Sequence, residues 1–177
     1  GRAEFVWGLP ANQLWTAETP FLWRFEARVE AEDGSIDAES VRFGIRTIAA
    51  DPEKGLLVNG ASVKLRGGCV HHDNGPLGAC SWADAERRRV FKLKEAGFNA
   101  IRTAHNPPST ALLEACDALG LYVIDEAFDC WRQGKRTFDY HLFFDEWWER
   151  DLSTMLLRDR NHPSVILWSH GNEIPER

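Results

Sequence analysis

The short apolar run Val165-Ile166-Leu167-Trp168 ends in Ser169, His170, Asn172 and Glu173, so that an amide and a carboxyl occupy adjacent positions at a strand tip. A carboxyl there can give and take a proton while the amide holds a sugar hydroxyl, which is the chemistry of retaining glycoside cleavage. That reaction uses two carboxylates flanking the bond, and Glu173 is the one that reads as such. Three earlier runs end in a similar way. The first gives His71, His72, Asp73 and Asn74; the second gives Arg102, Thr103, His105 and Asn106; the third gives Asp125, Glu126 and Asp129. In parallel α/β folds the carboxyl ends of the strands are where ligands bind, and four strands sending polar groups to one rim exceeds what composition supplies.

Each residue also has a plainer reading. His72 and His170 read as hydrogen-bonded structural residues, whereas His71 and His105 have Asn and Arg neighbours suited to a hydroxyl-rich ligand. Glu126 reads as a rim carboxylate paired with Arg102 or Arg160. Trp147 and Trp148 fall on a helix and read as core, while Trp131 follows a strand and offers an aromatic face on which a sugar ring stacks. Glu173 has its own bland alternative, a solvated carboxylate near the chain end. His71, His72, Asp73, His105, Asp125 and Glu126 lack HxH or HExxH spacing, which argues against a zinc centre.

The elements that position these groups follow from periodicity. In Phe21–Glu30 apolar residues alternate with charged ones, Glu32-Asp33-Gly34-Ser35 forms a turn, and Val41–Arg46 alternates again. This predicts the closing hairpin of a β-sandwich whose other strands lie N-terminal to the chain. Ala50-Asp51-Pro52-Glu53-Lys54-Gly55 marks a boundary, which divides residues 1–50 from 51–177. Beyond it a small hairpin turns at Asn59-Gly60 and leads to a strand ending near Cys69-Val70. A helix from Trp82 to Ala96, capped by Ser81 and closed by Gly97, uses Val90, Phe91 and Leu93 as its inner stripe. Phe98–Arg102 is a strand, and Ser109 opens a helix with Leu112, Leu113, Cys116 and Leu119 inward and Gly120 at its end. Leu121–Asp125 is a strand apolar on both faces. A helix over Phe144–Arg158 follows, with Trp148, Leu152, Met155 and Leu156 inward, and Val165–Trp168 is the last strand. The β-α-β-α-β-α-β order predicts parallel strands with right-handed crossovers, in an open doubly wound sheet or the first half of a (β/α)8 barrel. Gly67-Gly68 lies inside the first strand and is not a GxGxxG turn, which disfavours a nucleotide-binding sheet.

Composition fits this assignment. The 177 residues are 44% hydrophobic and 27% charged, with a net charge of −6, and the charges are interspersed. Nothing argues for nucleic acid or a membrane surface as partner. No run approaches about 18 apolar residues. Gly1-Arg2-Ala3-Glu4 has no leader pattern, and a first residue other than Met leaves secretion open. Cys69, Cys80, Cys116 and Cys130 form no CxxC pair and read as reduced, structural cysteines.

Several segments resemble glycoside hydrolase family 2, in that family's order and over nearly the whole chain. They are Leu14-Trp15-Thr16-Ala17-Glu18-Thr19-Pro20, Phe43-Gly44-Ile45-Arg46-Thr47-Ile48, Leu65-Arg66-Gly67-Gly68, Arg102-Thr103-Ala104-His105-Asn106-Pro107, Val123-Ile124-Asp125-Glu126, and Arg158-Asp159-Arg160-Asn161-His162-Pro163-Ser164-Val165 through Asn172-Glu173. The resemblance implies the last strands of an immunoglobulin-like β-sandwich followed by the first four units of a (β/α)8 TIM barrel. It implies Glu173 as acid/base, Asn172 as the ligand of the sugar 2-hydroxyl, His71 and His105 as subsite residues, and Asp125 as a carboxylate that binds sugar hydroxyls. The family's nucleophile falls beyond Arg177. Gly67 to Gly78 looks most like β-galactosidase-type members, and Phe128-Asp129-Cys130-Trp131 stands where metal-dependent galactosidases carry Glu-Thr-His, so a magnesium requirement is not implied. The reaction expected of the parent enzyme is retaining hydrolysis of terminal β-galactosides, with Glu173 held protonated by burial and a neighbouring carboxylate. β-Glucuronidase, β-mannosidase and a non-catalytic carbohydrate-binding fragment are the alternatives. The isolated half barrel is expected to be inactive and to self-associate.

Overall fold

A computed structural model of the chain describes residues 4–8, 10 and 12–175. Strands β1 (Trp23–Glu30) and β2 (Ile36–Phe43) form an antiparallel hairpin in continuous register from Glu30↔Ile36 to Trp23↔Phe43. The second strand therefore begins at Ile36 rather than at Val41, because pairing with the full length of β1 extends it past the weakly alternating Ile36–Ser40. It ends where a close approach demands glycine: a Cβ on Gly44 would lie 2.7 Å from the Pro163 ring. The apolar face of the hairpin, with Phe25, Val29 and Val41, is largely open, and so is Ile36 on the opposite face.

A three-stranded antiparallel sheet follows, made of β3 (Ile48–Asp51), β4 (Gly55–Val58) and β5 (Ala61–Ser62). Its second turn is the expected Asn59-Gly60 pair, with φ of 52° and 79°, the left-handed values that a two-residue hairpin requires. The barrel strands are β6 (Gly67–Val70), β7 (Ala100–Thr103), β8 (Tyr122–Glu126) and β9 (Val165–Ser169), all parallel and neighbouring in chain order. Helices α1 (Ala83–Glu95), α2 (Thr110–Leu119) and α3 (Phe144–Asp159) make the crossovers. The β8–β9 ladder slips by one residue, so that Val123 faces Val165 but Ile124 faces Leu167 and Glu126 faces Ser169.

Three apolar clusters hold these layers. Val90, Leu112, Leu113 and Cys116 from α1 and α2 pack on Ile101, Val123 and Val165 of the sheet. Trp15, Val58, Ala100, Tyr122 and Ile166 bind the N-terminal segments to the barrel. Ala127, Phe128, Phe144 and Met155, flanked by Trp131, Tyr140, Leu152 and Leu156, form the third. Ser109 caps α2 as expected by accepting from the Leu112 N–H. Ser81 does not cap α1, whose N-cap is Trp82, without a side-chain cap. Phe91 is exposed, since the stripe that meets the sheet runs through Val90 and Leu93. Trp148 is also more open than a core residue, and it stacks on Phe144 at 6.3 Å from the edge of the third cluster. Cys69 is exposed, with its sulfur 3.5 Å from Arg102 Nη1, while Cys116 is buried.

The segments on either side of the β1–β2 hairpin are fastened tightly. Trp15 Nε1 donates to the Asp117 carbonyl at 2.8 Å, and Lys94 Nζ donates to the carbonyls of Ala17 and Gly120. Arg46 donates to the Pro163 and Val165 carbonyls. Gly120, at φ 80°, has no room for a side chain: a Cβ would lie 2.1 Å from the Ala17 carbonyl oxygen. Gly120→Ala therefore combines left-handed strain with a clash against backbone, and we expect a loss of about 2–4 kcal/mol in chemical denaturation. A change below about 0.5 kcal/mol would contradict this packing.

Candidate active site

The inward parity of the barrel strands is set by β7, where Ile101 turns to the helices and Arg102 to the interior. Register places Arg102 beside Cys69 on β6 and Ile124 on β8. On β8, therefore, Glu126 faces inward and Asp125 outward. Glu126 is fully buried and gathers donors from both neighbouring strands. Arg102 reaches Oε2 with Nε at 2.9 Å and Nη2 at 2.6 Å, Ser169 Oγ donates to Oε2 at 2.6 Å, and His105 Nδ1 meets Oε1 at 2.8 Å. The Glu126 N–H donates to Thr103 Oγ1. A carboxylate only accepts, so His105 carries its proton on Nδ1. Burial alone would lower the Arg102 guanidinium, but the hydrogen bond and charge of Glu126 outweigh it and hold Arg102 above its usual value. The pairing expected for Glu126 is thus present with Arg102; no ion pair to Arg160 occurs among the described residues.

From Arg102 the network passes to the tip of β9. Arg102 Nη2 donates to Asn172 Oδ1 at 3.0 Å, and Asn172 Nδ2 donates to Asp129 Oδ1 at 3.0 Å. A cation on one side and a carboxylate on the other fix the orientation of the amide. Lys135 Nζ closes the circuit, at 2.8 Å from Asp129 Oδ1, 2.9 Å from the Asn172 carbonyl and 3.5 Å from Glu173 Oε2. Burial would raise Asp129, but hydrogen bonds from Lys135 and Asn172 prevail and lower it. Burial would lower Lys135, and Asp129 reverses that. Glu173 has φ 51°, a strained value for a non-glycine residue, and its side chain is 80% exposed. Its charged neighbour among the described residues is the Lys135 ammonium.

Of the other expected residues, His71 is exposed after β6 and meets His105 edge-to-face at 5.1 Å between ring centroids. Trp131 is partly buried. Its indole N–H donates to the His170 carbonyl at 2.9 Å, and its ring lies 5.9 Å from Phe144 and 5.3 Å from His170, so it pins the β8–α3 loop to the tip of β9. Gly171 permits this contact, since a Cβ there would fall 2.9 Å from Trp131 Nε1. The site thus brings together His71, His105, Asn172, Glu173 and, through His170, Trp131. The sequence carries no signal for Lys135, which belongs to a loop without periodicity. Among the described residues no three His, Cys, Asp or Glu side chains converge as metal ligands would.

Asp125 does not stand where a sugar-binding carboxylate must. It is fully buried on the outer face of β8, away from the rim, so it cannot reach a sugar bound inside. Neither oxygen has a partner in ordinary hydrogen-bond geometry. Burial first, and the charge of the neighbouring Asp159 second, push it up to about 8, against the attraction of Arg158. A bond between the two carboxyls needs the proton that this shift supplies. Since the folded value exceeds the unfolded one near 3.8, the folded chain keeps the extra proton. Stability present below about pH 4 is then lost as pH rises toward about 8, by up to about 1.4 kcal/mol per unit. Urea unfolding of Asp125→Asn across this range should show a flatter slope than the parent, and an unchanged slope would place its origin elsewhere.

Comparison with known proteins agrees with this architecture. A family model described as "Glycosyl hydrolases family 2, TIM barrel domain" matches residues 51–177, and "Glycosyl hydrolases family 2" matches residues 5–46. The chain is 47% identical over 165 residues to a β-galactosidase of Bacteroides ovatus, covering 93% of the chain and 19% of that protein. It is 41% identical to a putative β-glucuronidase of Formosa agariphila, covering 91% and 16%. A crystal structure of a glycosyl hydrolase family 2 member from Bacteroides cellulosilyticus superposes with a TM-score of 0.87 at 55% identity, covering 93% of the chain and 21% of that one. The chain spans about a fifth, or less, of the length of these proteins.

Proposed function

The chain belongs to glycosyl hydrolase family 2, and on that premise we propose that it supplies the acid/base half of a retaining site for terminal β-galactosides. The observation that carries the reading is the Asn172-Glu173 tip, where an amide fixed at both ends adjoins an exposed carboxyl. In this reading Glu173 donates its proton to the glycosidic oxygen as the bond breaks, and Asn172 holds the sugar 2-hydroxyl. A nucleophilic carboxylate from outside these 177 residues attacks the anomeric carbon from about 5–5.5 Å away. Glu173 then takes a proton from the water that releases the sugar. His71 and His105 line the subsite, Trp131 stiffens its wall, and the sandwich passes into the barrel domain near residue 50, within β3, whose ladder to β4 crosses that point.

Glu173→Gln in the full-length protein should lower turnover of galactosides with poor leaving groups by about 10²–10⁴-fold. Activated aryl galactosides should suffer less, and unchanged turnover of the former would sink the assignment. The similarity to a putative β-glucuronidase keeps uronic acids as the second reading. A panel of chromogenic glycosides separates the two, and saturable sugar binding without any turnover would instead favour a binding module.

For the 177-residue chain alone we infer no hydrolysis, together with self-association through the edges of β6 and β9 that are unpaired among the described residues. Sedimentation velocity should show concentration-dependent species larger than 20.1 kDa; a stable monomer would refute this.

A further inference from the structure

Asn172 does not hold its own rotamer. Its oxygen takes a hydrogen from Arg102 Nη2 and its nitrogen gives one to Asp129, so the amide stands where these two groups put it. Arg102 in turn is a flexible side chain fixed by Glu126, which binds both Nε and Nη2. Glu126 has no freedom either, since it is fully buried between Ser169 of β9 and His105 beyond β7. It lies too deep to touch a substrate held by Asn172 and Glu173. We propose that Glu126 is a positioning residue for glycoside cleavage, acting through the Arg102 fork to aim the Asn172 amide at the sugar 2-hydroxyl. The proposal rests on the reading of Asn172 given above.

A neutral amide in place of Glu126 keeps the shape and can still offer one oxygen to Arg102, as Oε2 does, but it removes the negative charge that holds the guanidinium and turns an NH2 group toward His105, so the fork is held more weakly. Arg102 then gains freedom, and the hydrogen bond to Asn172 is made only part of the time. Since Glu126 also holds His105, some loss is shared by all substrates, and the loss should be larger where the 2-hydroxyl is read than where it is absent.

The test uses the full-length protein and the aryl β-glycoside it turns over fastest, beside the 2-deoxy analogue of that glycoside. The measured quantity is the ratio of kcat/KM for the two substrates in the parent, Glu126→Gln, Asn172→Ala and the double variant. Glu126→Gln should lower the ratio about tenfold, the value of one charge-assisted hydrogen bond, and the double variant should fall no further than Asn172→Ala alone. Arg102→Lys keeps a cation beside Glu126 but cannot form the fork. It should reproduce the selective loss, and it carries the test if Glu126→Gln fails to fold. Equal losses on both substrates, or additive effects in the double variant, would show Glu126 to be structural only. If Asn172→Ala lowers the ratio and neither Glu126→Gln nor Arg102→Lys does, the proposal fails by itself. A ratio unchanged in Asn172→Ala removes both the proposal and the reading beneath it.

Discussion

A carboxylate removed from water must find its hydrogen bonds within the protein, and at Glu126 that requirement organises the whole rim. The cost of burying the charge is met only when the Arg102 fork, the His105 ring and the Ser169 hydroxyl all converge on two oxygens. Those donors come from β7, from the segment after it and from β9. Three strand tips are thereby held in one arrangement by a single desolvated charge. Asn172 inherits its place from this knot, and Lys135 ties the backbone of the β9 tip to Asp129 of the loop after β8.

Much of the fold was legible because period and punctuation agreed. Ser109 and Gly120 bounded one helix, Asn59-Gly60 marked a turn, and the alternation of strand and helix implied the parallel sheet. The sandwich and TIM barrel architecture of the family is present in the order expected. Where the reading failed, facing was the missing information. Leu121 to Ile124 are apolar throughout because both faces of β8 are covered, so the run contains no parity from which to decide whether Asp125 or Glu126 turns inward. Only pairing with β7, where Arg102 marks the interior, settles it. Phe91 failed for a similar reason, since a helix with a narrow contact stripe leaves neighbouring apolar positions open. On β2, pairing overrode a weak alternation signal.

The residues after β8 show how an irregular segment acquires rigidity. Phe128 stacks on Tyr140 at 4.8 Å and packs edge-on against Phe144, while Trp131 lies over Phe144 and bonds to the backbone beyond β9. Aromatic packing does here what a ladder of backbone bonds does in a strand. Lys135 can hold Asn172 only because the loop that carries it is itself held.

The one-residue slip in the β8–β9 ladder sets the phase of everything downstream. Without it Ile124 would face Ile166 and Glu126 would face Trp168, bringing an indole rather than a hydroxyl to the buried carboxylate. The irregularity advances β9 by half a pleat, so that Ser169 arrives beside Glu126 and the tip carries Asn172 to Arg102. Strand β9 therefore behaves like a vernier: removing one residue before Leu167 would shorten it by only about 3.3 Å, yet would exchange its two faces and misplace the whole tip.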